Sequence, residues 1–270
     1  FQAVLFLYLT MRLFSFFSLA FNVFFSMAQQ DPHLFVRPFI GTAEAGHTYP
    51  GATVPFGAVQ LSPDTDTIPF AVAGQYQPEV YRYCAGYQYK DSSIVGFSHT
   101  HFSGTGHSDL GDILIMPNRG VVQWNPGTAQ APEKGYRSTY HHDEQAQPGY
   151  YGVHLDEVGV DVELTTTKRV GVHRYRLQDG DSAHFVLDLT HGIYNYEGKN
   201  VWCFLRVEND TLLTGYKQTN GWGRTRTIYF AIALSVPLTS YQIKDLKPSL
   251  YKGFWRKFDT EHRFAEGAGQ

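Results

Sequence analysis

One glycine-rich segment, residues 96–109, concentrates histidine, serine and threonine side chains. Within it His99 and His101 lie two positions apart, a spacing that places both side chains on one face of a β-strand. Three further potential ligands follow: His107, Asp109 and Asp112. Imidazoles and a carboxylate are the ligands of zinc and iron sites, so the pattern suits a cupin-like metalloenzyme. Structural histidines are the alternative, because no distant His or Glu is placed by the sequence to complete a metal site.

A second segment, residues 39–57, is dense in glycine and proline. These residues fix tight turns and let a ligand approach the main chain closely. His47 and Tyr49, which lie within it, could give a sugar hydrogen bonds or a stacking face. The alternative is turn formation around a buried tyrosine. Long loops of this kind are usually functional when they persist in a compact domain.

A tyrosine-rich segment, residues 83–89, lies between these two and is expected to contribute to the hydrophobic core and not to a functional site. Tyr83, Tyr87 and Tyr89 fall on one face if the chain is extended. The pattern therefore predicts a strand of a sandwich core.

The C-terminal half of the chain has the pattern of consecutive β-strands. From Val158 to Leu164 the apolar residues alternate with polar ones and share one face. Strand patterns recur in four further segments: residues 185–189, 201–207, 211–216 and 228–234. Strands separated by turn residues predict an all-β fold, an antiparallel β-sandwich with long Gly/Pro-rich loops in its N-terminal half. An amphipathic helix is predicted to begin at Leu246.

Composition excludes several classes of function. The net charge is −3 and Lys and Arg form no run, so the chain lacks the basic surface that nucleic acids require. It contains no nucleophile elbow, no phosphate-binding loop and no dinucleotide-binding fingerprint. Two cysteines, Cys84 and Cys203, are too few for a disulfide scaffold, and the sequence leaves open whether they pair.

The first residues predict a secretory signal peptide. Met11 and Arg12 precede an uncharged apolar stretch, residues 13–25, and small residues at Ser26 and Ala28 fit cleavage before Gln29. Residues 1–28 are thus expected to be removed, and the first ten to lie upstream of the true start. An uncleaved anchor is the alternative, although the apolar stretch is short for a bilayer. We expect export to the periplasm or the cell exterior, with no stable membrane span after cleavage.

Taken together, several motifs resemble those of glycoside hydrolase family 92, the exported α-mannosidases. The resemblance extends over residues 36–238 and rests on these segments: Arg37-Pro38-Phe39-Ile40-Gly41-Thr42, Gly46-His47-Thr48-Tyr49-Pro50-Gly51-Ala52, Gly96 to Gly106, Asp188-Leu189-Thr190-His191-Gly192, Leu213-Thr214-Gly215-Tyr216 and Gly221-Trp222.

The resemblance implies a β-sandwich of the supersandwich type, residues 29–245, that packs on a helical barrel. It implies inverting hydrolysis of mannose-containing glycans, with a bound Ca²⁺ that holds sugar hydroxyls. The family's catalytic acid and base lie in the helical domain, so none is assigned here. The candidate substrate-binding residues in this chain are His47, Tyr49, His99, His101, Ser103 and Trp222.

The last segment, residues 246–270, is expected to hold a linker helix and then to stop before the helical domain. The chain is therefore predicted to be inactive without that missing C-terminal domain. Calcium ligands are expected to lie mostly there as well. A free-standing carbohydrate-binding β-sandwich module is the alternative function, with Tyr and Trp side chains as its sugar platforms.

Overall fold

The computed structural model describes residues 31–65, 68–107, 109–141, 143–177, 183–244 and 263–267. The predicted signal peptide and the predicted helix from Leu246 lie outside these residues. The chain divides into two units, Phe1–Val36 and Arg37–Gln270. In the first unit, residues 31–36 are described and contain a 3-10 turn, Pro32–Phe35. Across the described ranges, no helix has the length and apolarity needed to cross a bilayer.

The second unit is built from short strands joined by loops. In chain order the described strands are β1 (Ala52–Thr53), β2 (Gln60–Asp64), β3 (Ala71–Val72), β4 (Gln75–Tyr76), β5 (Ser93–Ile94), β6 (Gly96–Ser98), β7 (Leu114–Arg119), β8 (Ser138–Thr139), β9 (Gln145–Gln147), β10 (Tyr150–Leu155), β11 (Val160–Thr166), β12 (Gly171–Leu177), β13 (Ala183–Asp188), β14 (Asn200–Asn209), β15 (Leu212–Thr219), β16 (Arg226–Ala233) and β17 (Phe264–Gly267). Three 3-10 helices lie in its loops: Glu44–Gly46, Pro78–Tyr83 and Pro132–Lys134.

The strands form three larger antiparallel sheets. Sheet A has the order β1-β2-β6-β7-β13, sheet B has the order β12-β11-β10-β9, and sheet C has the order β16-β15-β14-β17. Two small sheets, β3-β4 and β5-β8, complete the pairing. Every described pair is antiparallel, as the sequence predicts.

Sheets A and B pack face to face around the main apolar core. Leu61, Phe97 and Leu114 of sheet A join Tyr151 and Val162 of sheet B in one buried cluster. Strand β11 shows the predicted alternation, with every second side chain buried against sheet A and the intervening ones wholly or partly exposed. This alternation is the pattern of a strand with one solvated face. The predicted β-sandwich is confirmed.

Sheet C covers part of the opposite face of sheet A. In β13, Val186 packs against the core between sheets A and B. The next residue, Leu187, packs instead against Cys203 and Phe230 of sheet C. Successive side chains of a strand point to opposite faces, so β13 packs on both sides, with most of its residues half-buried. Layers on both faces of sheet A hold its loops in fixed positions.

One local prediction is wrong. The tyrosine-rich segment is not an extended strand, because Pro78 opens a 3-10 helix that ends at Tyr83 and Gly86 then turns the chain at φ +80°. Near the end of the chain, Phe264–Gly267 forms a strand. It pairs with β14, which would otherwise present unpaired main-chain groups at the edge of sheet C.

Candidate functional site

The polar centre of the loop region is Asp64, the last residue of β2. Its side chain is wholly buried, and Oδ1 lies 2.8 Å from Nε2 of His101. Oδ2 lies 2.8 Å from Nε2 of His191. The main-chain carbonyl of Gln60 lies 2.8 Å from Nδ1 of His101 and the Ser98 hydroxyl 3.1 Å from its Nε2, so this imidazole is held from two sides. We call Asp64, His101 and His191 the buried triad.

The buried triad keeps its carboxylate ionised. Burial by itself would raise the pKa of Asp64, but the facing imidazoles of His101 and His191 outweigh it, and the pKa is lowered well below its usual range. A buried carboxylate is tolerated only when paired and hydrogen-bonded in this way. The triad therefore connects three loops that are far apart in the sequence.

Gly86 and Tyr49 bring two more loops to the buried triad. Gly86 approaches so closely that an added Cβ would collide with Oδ1 of Asp64, and its φ of +80° also favours glycine. The Tyr49 ring lies with its centroid 5.1 Å from the His101 ring, at a tilt of 37°. The Gly/Pro-rich segment and the His-rich segment thus meet, as the sequence suggests for a common wall.

His191 is positioned by a turn that follows β13. Oδ1 of Asp188 accepts hydrogen bonds from the main-chain N–H groups of Thr190 and His191, at 2.7 and 3.0 Å. Oδ2 accepts another from the Tyr136 hydroxyl at 2.7 Å. The pKa of Asp188 is lowered, since His191 and these donors outweigh the opposing effect of burial. The turn directs the His191 ring towards Asp64.

His47 lies in the left-handed region at φ 52°, beside the loop that carries Ser103. Its main-chain carbonyl accepts a 2.6 Å hydrogen bond from Gly104, and its ring packs edge-on against Tyr81, 4.7 Å between centroids. Nε2 is buried and has no hydrogen-bond partner among the described residues. Ser103 itself is exposed.

Trp222 is largely exposed, at 76% of its surface. It lies in the loop between β15 and β16, and its ring stacks on His107 with centroids 4.5 Å apart and planes 19° apart. The Asp109 carboxylate accepts from the main-chain N–H groups of Trp222 and Gly223, each at 3.2 Å. An exposed indole with a fixed ring plane is suited to stacking on a sugar.

His99 lies apart from the other candidates. Strand β6 ends at Ser98, so the pleat does not continue, and the prediction that His99 and His101 share a face is wrong. His99 Nδ1 donates to the carbonyl of Ile113 at 2.6 Å, and Nε2 lies 3.1 Å from Nε2 of His173 on β12. Burial lowers the pKa of His99 to about 4 and, together with His99, lowers that of His173. The pair joins sheets A and B.

The described residues do not fit a metal ion. No group of three or more His, Cys, Asp or Glu side chains in the described ranges could hold one. Calcium prefers six to eight oxygen ligands. The buried carboxylates instead accept hydrogen bonds from protein donors. Oδ2 of Asp112, for example, accepts from the Arg226 guanidinium and from the Thr100 hydroxyl, each at 2.7 Å. Where the structure describes the chain, His99 and His101 therefore belong to no cluster of His, Cys, Asp or Glu that could hold a metal ion.

Sequence reasoning did not identify Asp64 or His191 as site residues. His191 lies within a quoted motif, but Asp64 follows an ordinary strand, and its partners are 37 and 127 residues away. No local spacing could have shown these pairs. Asp109 was noted only as a possible metal ligand, and the structure gives it main-chain donors instead.

Residues 35–262 match the family model described as the Glycosyl hydrolase family 92 N-terminal domain. The chain belongs to this family. A family GH92 alpha-mannosidase from Bacteroides thetaiotaomicron, in complex with mannoimidazole, superposes with a TM-score of 0.73 at 36% identity over 88% of this chain. The structure of the uncomplexed enzyme superposes with a TM-score of 0.72. A second GH92 family glycosyl hydrolase, ccman5, gives 0.60 at 26% identity over 74% of this chain.

A curated relative extends the likeness to a second organism. An uncharacterized secreted glycosidase of Arthroderma benhamiae is 28% identical over 144 residues, 52% of this chain. The chain spans 17% of that protein, 29% of the Bacteroides thetaiotaomicron mannosidase and 26% of the second glycosyl hydrolase. This family 92 chain therefore corresponds to the N-terminal part of a glycosidase.

Proposed function

We propose that this chain is the N-terminal domain of an exported, calcium-dependent, inverting α-mannosidase that acts on mannose-containing glycans. Its loops would form one wall of the sugar cleft. The observation that carries the proposal is the 36% identity to a GH92 alpha-mannosidase over 88% of this chain, in the same fold. Activity of the whole enzyme would require the helical domain, which supplies the rest of the cleft.

The acids of the site favour a structural role over a catalytic one. Inversion needs one carboxylic acid to protonate the leaving oxygen and one carboxylate to activate water. Asp64, Asp112 and Asp188 are each held by two or more donors, and the pKa of each is lowered. A carboxylate so occupied is poorly suited to donating or accepting a proton. This fits the family resemblance, which implies a catalytic pair in the helical domain.

The buried triad would instead hold the cleft wall. It fixes the loop of His101, against which Tyr49 stacks. His47 and Ser103 lie on adjoining loops, joined by the hydrogen bond from Gly104 to His47. These groups would meet sugar hydroxyls and ring faces, together with Trp222. His99 would support the wall from behind, since its ring faces sheet B.

Calcium belongs to the proposal because the family resemblance implies it. The buried carboxylates of Asp64, Asp112 and Asp188 are occupied by donors, so we propose that the ion's ligands lie mostly in the helical domain. The fold of this domain would then not depend on the ion. Calcium titration followed by calorimetry tests this placement: the melting temperature of the chain should stay constant. A stabilisation that saturates with calcium would contradict it.

The activity is tested by joining this chain to the helical domain of a family 92 relative. The fusion should release mannose from α-mannobiosides, while the chain alone should release none. Proton NMR during the reaction should show β-mannose first, as inversion requires. Hydrolysis by the purified chain alone, or α-mannose as the first product of the fusion, would overturn the proposal.

A free-standing carbohydrate-binding module is the second candidate. The exposed Trp222, stacked on His107, favours it because carbohydrate-binding surfaces use such aromatic platforms. Calorimetry with mannose oligosaccharides separates the two functions. Micromolar binding by the chain alone would favour the module, whereas half of a cleft should bind only weakly.

Export rests on the sequence and on the secreted description of one relative. Expression with its first residues in a bacterial host, followed by N-terminal sequencing of the exported protein, should show a start at Gln29. Retention of residues 1–28 on a membrane-bound product would favour the uncleaved anchor.

A further inference from the structure

Asp109 is a buried acid whose hydrogen-bond partners are main-chain groups of a distant loop. It is 9% exposed and lies on the His-rich loop. Its carboxylate accepts from the N–H groups of Trp222 and Gly223, which are 113 and 114 residues further along the chain. Hydrogen bonds from N–H groups to an ionised carboxylate are stronger than neutral ones. They therefore fix the main chain directly beneath the Trp222 side chain.

His107 fixes the plane of the indole. Its ring stacks on Trp222 at 4.5 Å and 19°. Nδ1 of His107 lies 3.9 Å from Oδ1 of Asp109, so all three residues are close together. One face of the indole is thus covered, while 76% of the residue remains exposed. Two main-chain hydrogen bonds and one stacked ring leave the indole little freedom to rotate.

Gly221 is required for this close approach. A Cβ at Gly221 would collide with the Asp109 carboxylate, lying 2.6 Å from Cγ and 2.7 Å from Oδ2. Gly221→Ala keeps the main-chain N–H group and therefore tests the close approach to the carboxylate.

We propose that Asp109 is a positioning residue of the sugar cleft, which holds Trp222 and its backing His107 as a preorganised platform for a pyranose ring. This rests on the proposed function, since it assigns a role within the same cleft. Preorganisation matters because an indole that is already fixed loses less conformational entropy when a sugar binds. Asp109 acts through Trp222 and does not itself contact the sugar.

The test uses the whole chain labelled with 5-fluorotryptophan. The fluorine resonance that is missing from the spectrum of the Trp222→Phe variant belongs to Trp222. The resonances of Trp124 and Trp202 report on the rest of the fold. Methyl α-D-mannopyranoside is the probe, titrated to high concentration so that weak binding is seen. We expect the sugar to move the Trp222 signal in the wild type.

Asp109→Asn and Gly221→Ala should each broaden or move the Trp222 signal before sugar is added. Each should weaken the sugar response about fivefold, the factor that corresponds to about 1 kcal/mol, the typical net contribution of one hydrogen bond. Asp210→Asn, at an exposed turn residue, should change neither quantity. The signals of Trp124 and Trp202 should stay as in the wild type in all three variants.

Two outcomes would overturn the positioning role. An unchanged Trp222 signal in Asp109→Asn shows that the indole is held without this carboxylate. Parallel changes at Trp124, Trp202 and the melting temperature show that Asp109 only stabilises the fold. If the wild-type Trp222 signal never responds to sugar, the stacking role within the proposed function fails, while the sugar-free spectra still decide whether Asp109 positions Trp222.

Discussion

The imidazole of His101 lies 2.8 Å from the carboxylate of Asp64, and both side chains are almost wholly buried although they are 37 residues apart. This contact joins the end of a strand to the His-rich loop. The residue types of the His-rich segment suggest a metal site, but this contact shows that His101 holds the loop in place instead. Its energetic weight can be measured directly.

Substitution of Asp64 by Asn should destabilise the protein strongly. The change removes the charge that His101 and His191 face and leaves two buried imidazoles without their anion. Breaking a buried ion pair by removing one partner costs about 3 to 5 kcal/mol. Urea denaturation followed by circular dichroism gives the free energy of unfolding. Asp210→Asn, at an exposed turn residue, is the control and should change that free energy little. Equal losses in both variants would contradict a central role for Asp64.

Stability should fall as the pH is lowered from 6.5 to 4, because of His99. Its pKa is lowered from 6.5 to about 4 in the folded protein. In this interval the unfolded chain binds a proton at His99 and the folded chain does not, so unfolding is favoured as the pH falls. The contribution of His99 to the free energy of unfolding is fully present above pH 6.5. The pKa difference corresponds to about 3 kcal/mol.

The variant His99→Asn isolates the contribution of His99 to this pH dependence. Its side-chain amide keeps a donor for the Ile113 carbonyl but does not titrate. Its free energy of unfolding should therefore depend less on pH between 6.5 and 4 than that of the wild type, by about the same 3 kcal/mol. Parallel pH profiles would show that His99 titrates normally in the folded state.

Two glycines with the same backbone conformation should differ in their tolerance of alanine. Gly74 and Gly86 have φ values of +77° and +80°. Nothing lies near a Cβ at Gly74, whereas one at Gly86 meets Asp64. Gly74→Ala should cost about 1 kcal/mol, from backbone strain alone. Gly86→Ala should cost about 3 kcal/mol or more, because overpacking adds to the strain. Equal melting temperatures for the two variants would contradict the close packing at Asp64.

Cys84 and Cys203 should remain free thiols. Both are buried, in separate apolar clusters, and neither forms a disulfide. Burial raises the pKa of Cys84 and raises that of Cys203 to about 11, so both should react slowly with thiol reagents. Titration with a chromogenic disulfide should detect two thiols in denaturant and almost none at first in the native protein. A mass two hydrogens lower after oxidative export would show that they pair.

Much of the sheet structure was predictable because a strand with one buried face repeats every two residues. Val160, Val162 and Leu164 show that period in the sequence, and the structure buries each of them. Tyr83 and Tyr87 show the same spacing, yet they do not share a strand, since Pro78 and Gly86 impose a helix and a turn. The spacing of side chains alone does not show such local constraints on the backbone.

By itself the sequence determined the strand pattern, the all-β class and the family 92 identity, because alternation and motifs are local properties of a chain. Only the tertiary structure decided that His99 faces His173 while His101 faces Asp64, and that Asp109 holds the main chain at Trp222. Those pairings join residues from 37 to 113 positions apart. They depend on which loops the packed sheets bring together, and no spacing along the chain encodes that geometry.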